Sequence, residues 1–261
     1  MHLSRFVLNL STLCVLVASV LPLRAQSSPR PPLSGPENVT FPSEGHPVRA
    51  VMYKPAGKGP FPAIVVIHEW WGLNDWVKQQ AQMFSGHGYV TLAVDLYRGQ
   101  VATDPELAHE LMRALPQSRG VQSLTSAVTY LKSQKFVKGD RIGAVGWCMG
   151  GGFALQLAIA DPSLRAVAIN YGALETDPGQ LKKIRAAMLG NFGSLDRGIT
   201  PQDVQTFSSA MKKLGHPVDF KEYPDAGHAF QNPNNKAGYR AADTADADRR
   251  MFTFFAKTLK Q

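Results

Sequence analysis

Cys148 stands in Gly146-Trp147-Cys148-Met149-Gly150-Gly151, between an apolar stretch that reads as a strand and another that reads as a helix. This is the G-x-S-x-G turn with sulfur in place of the hydroxyl, and such a turn lifts a nucleophile above the end of a sheet. Its glycines are needed because strand and helix backbones approach closely there, and a β-carbon would clash. The start of the following helix favours thiolate over thiol. It also aims the Met149 N–H at an oxyanion forming on an attacked carbonyl. Two other readings compete. A Gly-rich turn can cradle a phosphate, but this one lacks the Gly-Lys-Ser/Thr ending of a P-loop, and Cys148 occupies the second glycine position of G-x-G-x-x-G. A lone cysteine can also be buried and inert.

An attacking thiol needs a base, and the base needs a carboxylate to orient it. Asp196, in Asn191-Phe192-Gly193-Ser194-Leu195-Asp196, follows an apolar stretch and precedes Pro201 at a helix start. His228, in Asp225-Ala226-Gly227-His228-Ala229-Phe230, lies in a small-residue loop before the last helix. Taken singly, Asp196 could cap a turn and His228 could be a surface-loop histidine. Together the three fall in the order nucleophile, acid, base, each after its own strand. Asp161, Asp177 and Asp225 are rival acids, but Asp161 reads as a helix stop and Asp225 is close to His228 along the chain. His68-Glu69-Trp70-Trp71-Gly72 opens like the zinc motif H-E-x-x-H, yet its fifth residue is glycine and the metal reading fails. The segment suits an oxyanion loop, with the Trp70 N–H as second donor and Glu69 within reach of the thiol. Trp70 and Trp71 would wall the pocket, although Trp71 reads equally well as core packing. Acyl transfer of this kind needs proton transfer and electrostatic stabilisation, hence no metal and no organic cofactor.

Strand-like and helix-like stretches alternate around these residues. Residues 39–41 and 48–54 read as an opening hairpin about Glu44-Gly45. Residues 63–68, 90–94, 141–147, 166–170, 186–192 and 218–223 read as strands, several of them apolar throughout as strands buried on both faces should be. Residues 74–86, 107–115, 121–134, 151–160, 204–214 and 243–259 read as helices. Such alternation predicts an α/β domain with a mostly parallel central sheet and helices on both faces. Ligands in such sheets sit at the carboxyl ends of the strands, where Cys148, Asp196, His228 and Glu69 all fall.

The chain has 261 residues, 44% hydrophobic and 18% charged, which supports one packed domain over residues 37–261. Residues 1–25 read as an export signal: Arg5 supplies positive charge, residues 10–23 are largely apolar, and Ala25 precedes a plausible cut. Residues 26–36, rich in Pro and Ser, read as a flexible lead-in. The protein is therefore expected in the periplasm or outside the cell, without stable membrane insertion once the signal is cut. Cleavage removes Cys14 and leaves Cys148 as the single thiol. The formal charge is +8, and +6 without Arg5 and Arg24. The basic residues are scattered and no nucleic-acid-binding motif is present, so the surplus reads as a solvated surface rather than a nucleic-acid site.

Five segments together resemble the dienelactone hydrolase family: residues 68–74 (HEWWGLN), 93–99 (AVDLYRG), 146–151 (GWCMGG), 193–196 (GSLD) and 227–230 (GHAF). The resemblance spans roughly residues 37–259. It implies an α/β-hydrolase fold without a large lid, with Cys148 forming an acyl-thioester, His228 shuttling the proton and Asp196 orienting it. It also implies that Glu69 takes part in activating the thiol. Arg98 matches one of two arginines that grip a substrate carboxylate in that family, whereas Gln231 and Asn232 stand where the second would be. The expected function is hydrolysis of a small-molecule ester or lactone by a monomer or weak oligomer. A non-catalytic small-molecule binding protein on the same fold is the alternative. A thiol-exchange role lacks the second cysteine of C-x-x-C.

Overall fold

The computed structural model describes residues 1–2 and 35–261. The expected export signal and most of the Pro/Ser-rich lead-in lie outside the described residues.

Strands β1 (Glu37–Ser43) and β2 (His46–Tyr53) form the opening hairpin. Its turn is Glu44-Gly45, with φ of 38° and 83°, the left-handed pair that a two-residue hairpin loop requires. The strands β3 (Phe61–Ile67), β4 (Val90–Val94), β5 (Val137–Trp147), β6 (Ala166–Asn170), β7 (Ala187–Gly193) and β8 (Asp219–Tyr223) then pair in parallel. The order across the eight-stranded sheet is β1-β2-β4-β3-β5-β6-β7-β8. β3 and β4 are apolar and buried almost throughout, because helices cover both faces.

Helices α1 (Asp75–Gly86) and α7 (Ala241–Leu259) pack on one face, through Trp76, Val77, Phe84, Met251 and Phe255. On the other face lie α2 (Pro105–Arg113), α3 (Gln117–Ser133), α4 (Met149–Ala160) and α6 (Pro201–Lys213). α5 (Pro178–Leu181) is a single turn. Caps fix several starts: Asn74, Asp104 and Thr200 each accept a backbone N–H of the following first turn, and Thr200 forms a capping box with Asp203.

The expected α/β architecture is present, and the differences are local. α3 begins at Gln117 rather than 121 and carries Gly120 inside it. The ring of Phe153 occupies the space of a β-carbon there, 2.3 Å from its ideal position. Glycine thus serves helix packing at a point where sequence pattern alone suggests a break. β5 starts at Val137, before an irregularity in its pairing with β3 between Phe61 and Ala63. Asp161 ends α4 and accepts the Ser163 N–H, and Asp177 caps α5, so neither approaches the Cys148 site as an acid.

Candidate active site

Cys148 joins β5 to α4 with φ 54° and ψ −120°, a conformation that costs a side-chain-bearing residue of order 1–3 kcal/mol. The surrounding backbone holds it there. The Cys148 N–H donates to Asn170 O (3.0 Å), and its carbonyl accepts from the N–H groups of Gly151 and Gly152 (3.0 and 3.2 Å). The approach is too close for side chains. A β-carbon on Gly146 would lie 2.0 Å from Gly150 O, and one on Gly150 would lie 2.4 Å from Ile67 O. The sharp turn expected from the glycine spacing is therefore present and leaves Cys148 half-buried at the carboxyl end of the sheet.

His228, in the loop after β8, donates from Nδ1 to Asp196 Oδ2 at 2.6 Å. An acceptor-only carboxylate fixes the proton on Nδ1, which leaves Nε2 as the ring atom free to act with Cys148. Asp196, in the loop after β7, is buried, and its Oδ1 accepts from Gly198 N (2.8 Å) and Ile199 N (3.1 Å). Burial alone would raise its carboxyl, but the His228 hydrogen bond and charge and these two amides hold it below the ordinary carboxylate value. Burial opposes a charge on His228 as well. The bonds to Asp196 and Cys148 and the charges of both outweigh that effect and push the imidazole up to about 10. Of the three residues singled out in the sequence, Asp196 and His228 are hydrogen-bonded, and Cys148 is close enough to act on the His228 ring.

Glu69, two residues past β3, is 1% exposed. Its Oε2 accepts from Asn232 Nδ2 at 2.6 Å and its Oε1 from the Tyr171 hydroxyl at 3.3 Å. Burial raises the carboxyl to about 7 against those two hydrogen bonds and the charge of His228. Glu69 was expected to reach the thiol; its hydrogen bonds go to Asn232 and Tyr171 instead. Tyr171 was not anticipated. It follows β6 directly, at φ 38°, and sets its ring edge-on to His228 at 5.2 Å. Its position at a strand's carboxyl end was the available signal.

His68 is fully buried, with Nδ1 donating to the Glu69 carbonyl (2.6 Å) and Nε2 accepting the Leu96 N–H (3.2 Å). Both nitrogens are used within the fold, which pins the 68–70 loop. The Met149 N–H opens α4 and has no intrahelical acceptor. The Trp70 N–H makes no backbone hydrogen bond among the described residues.

A cavity of about 400 Å³ opens beside Cys148 and Met149, walled by Met112, Leu115, Phe153 and Leu174. Two expected site residues lie elsewhere. Trp71 packs against Trp70 and the core, with its carbonyl accepting Ala102 N–H at 2.9 Å. Trp71 is half-buried, and neither tryptophan is among the residues lining the Cys148 cavity. Arg98 lines a separate cavity of about 260 Å³ with Arg49 and Arg119. The backbone turns at Arg98 and Gly99 (φ 56° and 93°), and Arg49 donates to the Arg98 carbonyl.

A parallel sheet of this order, with a strained Cys turn after β5 and an acid and a histidine after β7 and β8, defines an α/β-hydrolase. Solved structures agree on the fold. The dienelactone hydrolase-like promiscuous phosphotriesterase P91 from metagenomic libraries superposes with a TM-score of 0.80 at 22% identity, over 87% of this chain and 98% of that one. An acylaminoacyl peptidase of Pyrococcus horikoshii gives 0.69 at 16% identity, over 87% of this chain and 42% of the larger one. Residues 48–259 match the dienelactone hydrolase family, and the chain belongs to it. A carboxymethylenebutenolidase of Pseudomonas putida is 29% identical over 223 residues, covering 82% of this chain and 92% of that protein.

The Glu69 environment sets a pH dependence of stability. The carboxyl titrates at 4.5 unperturbed and about 7 when folded. Between those values the unfolded chain is ionised while the native protein keeps its proton, so stability falls as pH rises through the window. The full loss is about 3 kcal/mol. Glu69→Gln keeps the shape and removes the titration. Its unfolding free energy relative to the parent, from urea melts, should climb between about pH 4.5 and 7 and then level. A difference that stays flat across that range rejects a buried, titrating Glu69.

Proposed function

We propose that this member of the dienelactone hydrolase family hydrolyses carboxylic esters or lactones of small molecules with Cys148 as nucleophile. The observation that carries the reading is the 2.6 Å hydrogen bond from His228 to buried Asp196, with Cys148 acting on the same imidazole and held at the mouth of a mainly apolar cavity. The Cys148 thiol gives its proton to His228 Nε2, the sulfur attacks the carbonyl carbon, and the carbonyl π electrons move onto oxygen. The Met149 and Trp70 N–H groups stabilise that oxyanion. The C–O bond to the leaving group breaks as His228 donates its Nε2 proton to the departing oxygen, which leaves an acyl-thioester. Neutral His228 then takes a proton from water, the hydroxide oxygen attacks the thioester, and the acid departs as sulfur regains its electron pair. Asp196 holds the ring in the Nδ1–H form and stabilises its positive charge. The Glu69 carboxyl is fixed by Asn232 and Tyr171, and the charge of His228 favours its ionised form.

Cys148→Ala should lower hydrolysis of p-nitrophenyl acetate at least about a thousandfold. Mass spectrometry of the quenched parent should show an acetyl adduct on the peptide carrying Cys148. Equal rates in the two proteins would refute nucleophilic catalysis and favour a binding protein on this fold.

The His228 charge has its own readout. NMR titration of the ring should give a midpoint near 10 in the parent. Cys148→Ala removes two causes that raise it, so the midpoint should move down toward the ordinary imidazole value near 6.5. His228 contributes stability that is complete below about 6.5 and lost as pH rises through about 10. An unmoved midpoint would reject the pairing of His228 with the sulfur.

The arginine-flanked apolar leader and Ala25 support export to the periplasm or medium, where the protein acts as a monomer or weak oligomer. Expression of the full chain in a bacterial host, followed by N-terminal sequencing of the periplasmic fraction, should yield a chain beginning at Gln26. Full-length protein confined to the cytoplasm contradicts export.

A further inference from the structure

The cavity beside Cys148 has a composition that bears on which ester it takes. Besides Cys148 and Met149 it is lined by apolar Met112 and Leu115 of the α2 segment, Phe153 of α4 and Leu174 of the loop after β6. Gln117 and Gln156 are its uncharged polar members, and Glu175 is its charged one. Among the described lining residues there is no Lys, Arg or His. Arg98, the cation the sequence reading offered, lines the other cavity with Arg49 and Arg119. Asn232, which could have been a second arginine, is neutral and spends its amide on Glu69.

The position of the cavity says which half of the ester enters it. The leaving oxygen must face His228, because that ring supplies its proton. His228 does not line the cavity. The walls instead include Met149, Gly152 and Phe153 from the N-terminal end of α4, where the Met149 N–H opens the helix. A tetrahedral carbon bonded to Sγ, with its oxyanion at Met149 N–H and its leaving group toward His228, has one remaining substituent, and the open space for it is this cavity.

We propose that the cavity is an acyl-chain site that takes uncharged, apolar acyl groups and rejects acyl groups ending in a carboxylate. This rests on Cys148 being the nucleophile. Apolar walls favour each added methylene, whereas a carboxylate would lose its hydration with no cation to receive it and with Glu175 opposing it. The Glu175 carboxylate is held in place, accepting from Thr176 N (2.8 Å) and Asp177 N (2.9 Å) through Oε1. A glutamine can accept the same two bonds, so Glu175→Gln changes charge and little else.

The test compares kcat/KM of the full protein on p-nitrophenyl acetate, butyrate and hexanoate, and on mono-p-nitrophenyl adipate, which matches hexanoate in length and adds a terminal carboxylate. The expected result is a rise of up to roughly fourfold per methylene from acetate to hexanoate. Adipate should fall at least about a hundredfold below hexanoate. Glu175→Gln should narrow the gap between hexanoate and adipate severalfold. Ala173→Trp, an exposed position at the cavity edge, should cut the hexanoate-to-acetate ratio. A ratio near one in the parent, or adipate turned over as well as hexanoate, overturns the acyl site while leaving Cys148 catalysis standing. Loss of all four activities together with absence of acyl adduct on Cys148 overturns both.

Discussion

The structure depends on a contact that only glycine permits. β5 runs into α4, and α4 passes the end of β3, so closely that β-carbons at 146 and 150 would lie 2.0–2.5 Å from backbone oxygens. Cys148, between them, is the residue forced out of the ordinary backbone regions, at φ 54°. The strain is offset because the N–H and carbonyl of Cys148 and the carbonyl of Gly146 are all tied down, the last by the Asn170 amide at 3.1 Å. Asn170 also accepts from Asn191 and Gln231, and Gln231 in turn accepts the Trp147 indole N–H at 2.6 Å. A buried polar web of this kind is costly unless every member is satisfied, and when satisfied it specifies one arrangement. It spans β5, β6, β7 and the loop after β8, the elements that carry Cys148, Tyr171, Asp196 and His228.

That web explains how three loops remote in sequence meet at one sulfur. Asp196 and His228 each sit a few residues beyond a strand of the same sheet, and neighbouring strand ends are separated by less than 5 Å. The loop after β7 is closed onto that after β8 by Leu195 N–H to Ala226 O at 2.9 Å, and a β-carbon on Gly193 would strike Ala226 O. The 2.6 Å bond between Asp196 and His228 is thus a consequence of backbone pairing and close packing. Side-chain attraction adds to it but does not create it.

Much of this was legible before any coordinates. Strands over 90–94 and 166–170 have the bounds that their apolar runs suggest, and the glycine spacing around Cys148 announced the turn. Order along the chain identified Asp196 and His228, because strand-end residues in a parallel sheet converge. What escaped was set by side-chain direction. Arg98 sits in a segment that matches the family, at positive φ, and lines a cavity with Arg49 and Arg119 that its sequence position does not announce. Tyr171 reads as one more apolar residue after a strand, and only its hydroxyl on Glu69 separates it from core. The start of α3 was missed because a glycine inside a helix looks like an end unless its packing partner, Phe153, is known.

The same separation runs through the chemistry. The residues that would break the bond come from the turn after β5 and the loops after β3, β7 and β8, whereas the cavity walls come from α2, α4 and the loop after β6. One set is fixed by the glycine contact and the asparagine web. The other can change with little effect on that geometry, since several of its members are partly exposed and none belongs to the web. The net charge of +8 is distributed in keeping with this division. Lys132, Arg141, Arg165, Arg185 and Lys257 gather at the opposite end of the sheet, and Arg49, Arg98 and Arg119 in the cavity by the hairpin. A basic protein therefore presents, beside Cys148, a cleft whose charged wall residue is an acid. Whole-protein charge steers what approaches, but the groups within contact distance decide what is held, and here those groups are methionine, leucine and phenylalanine.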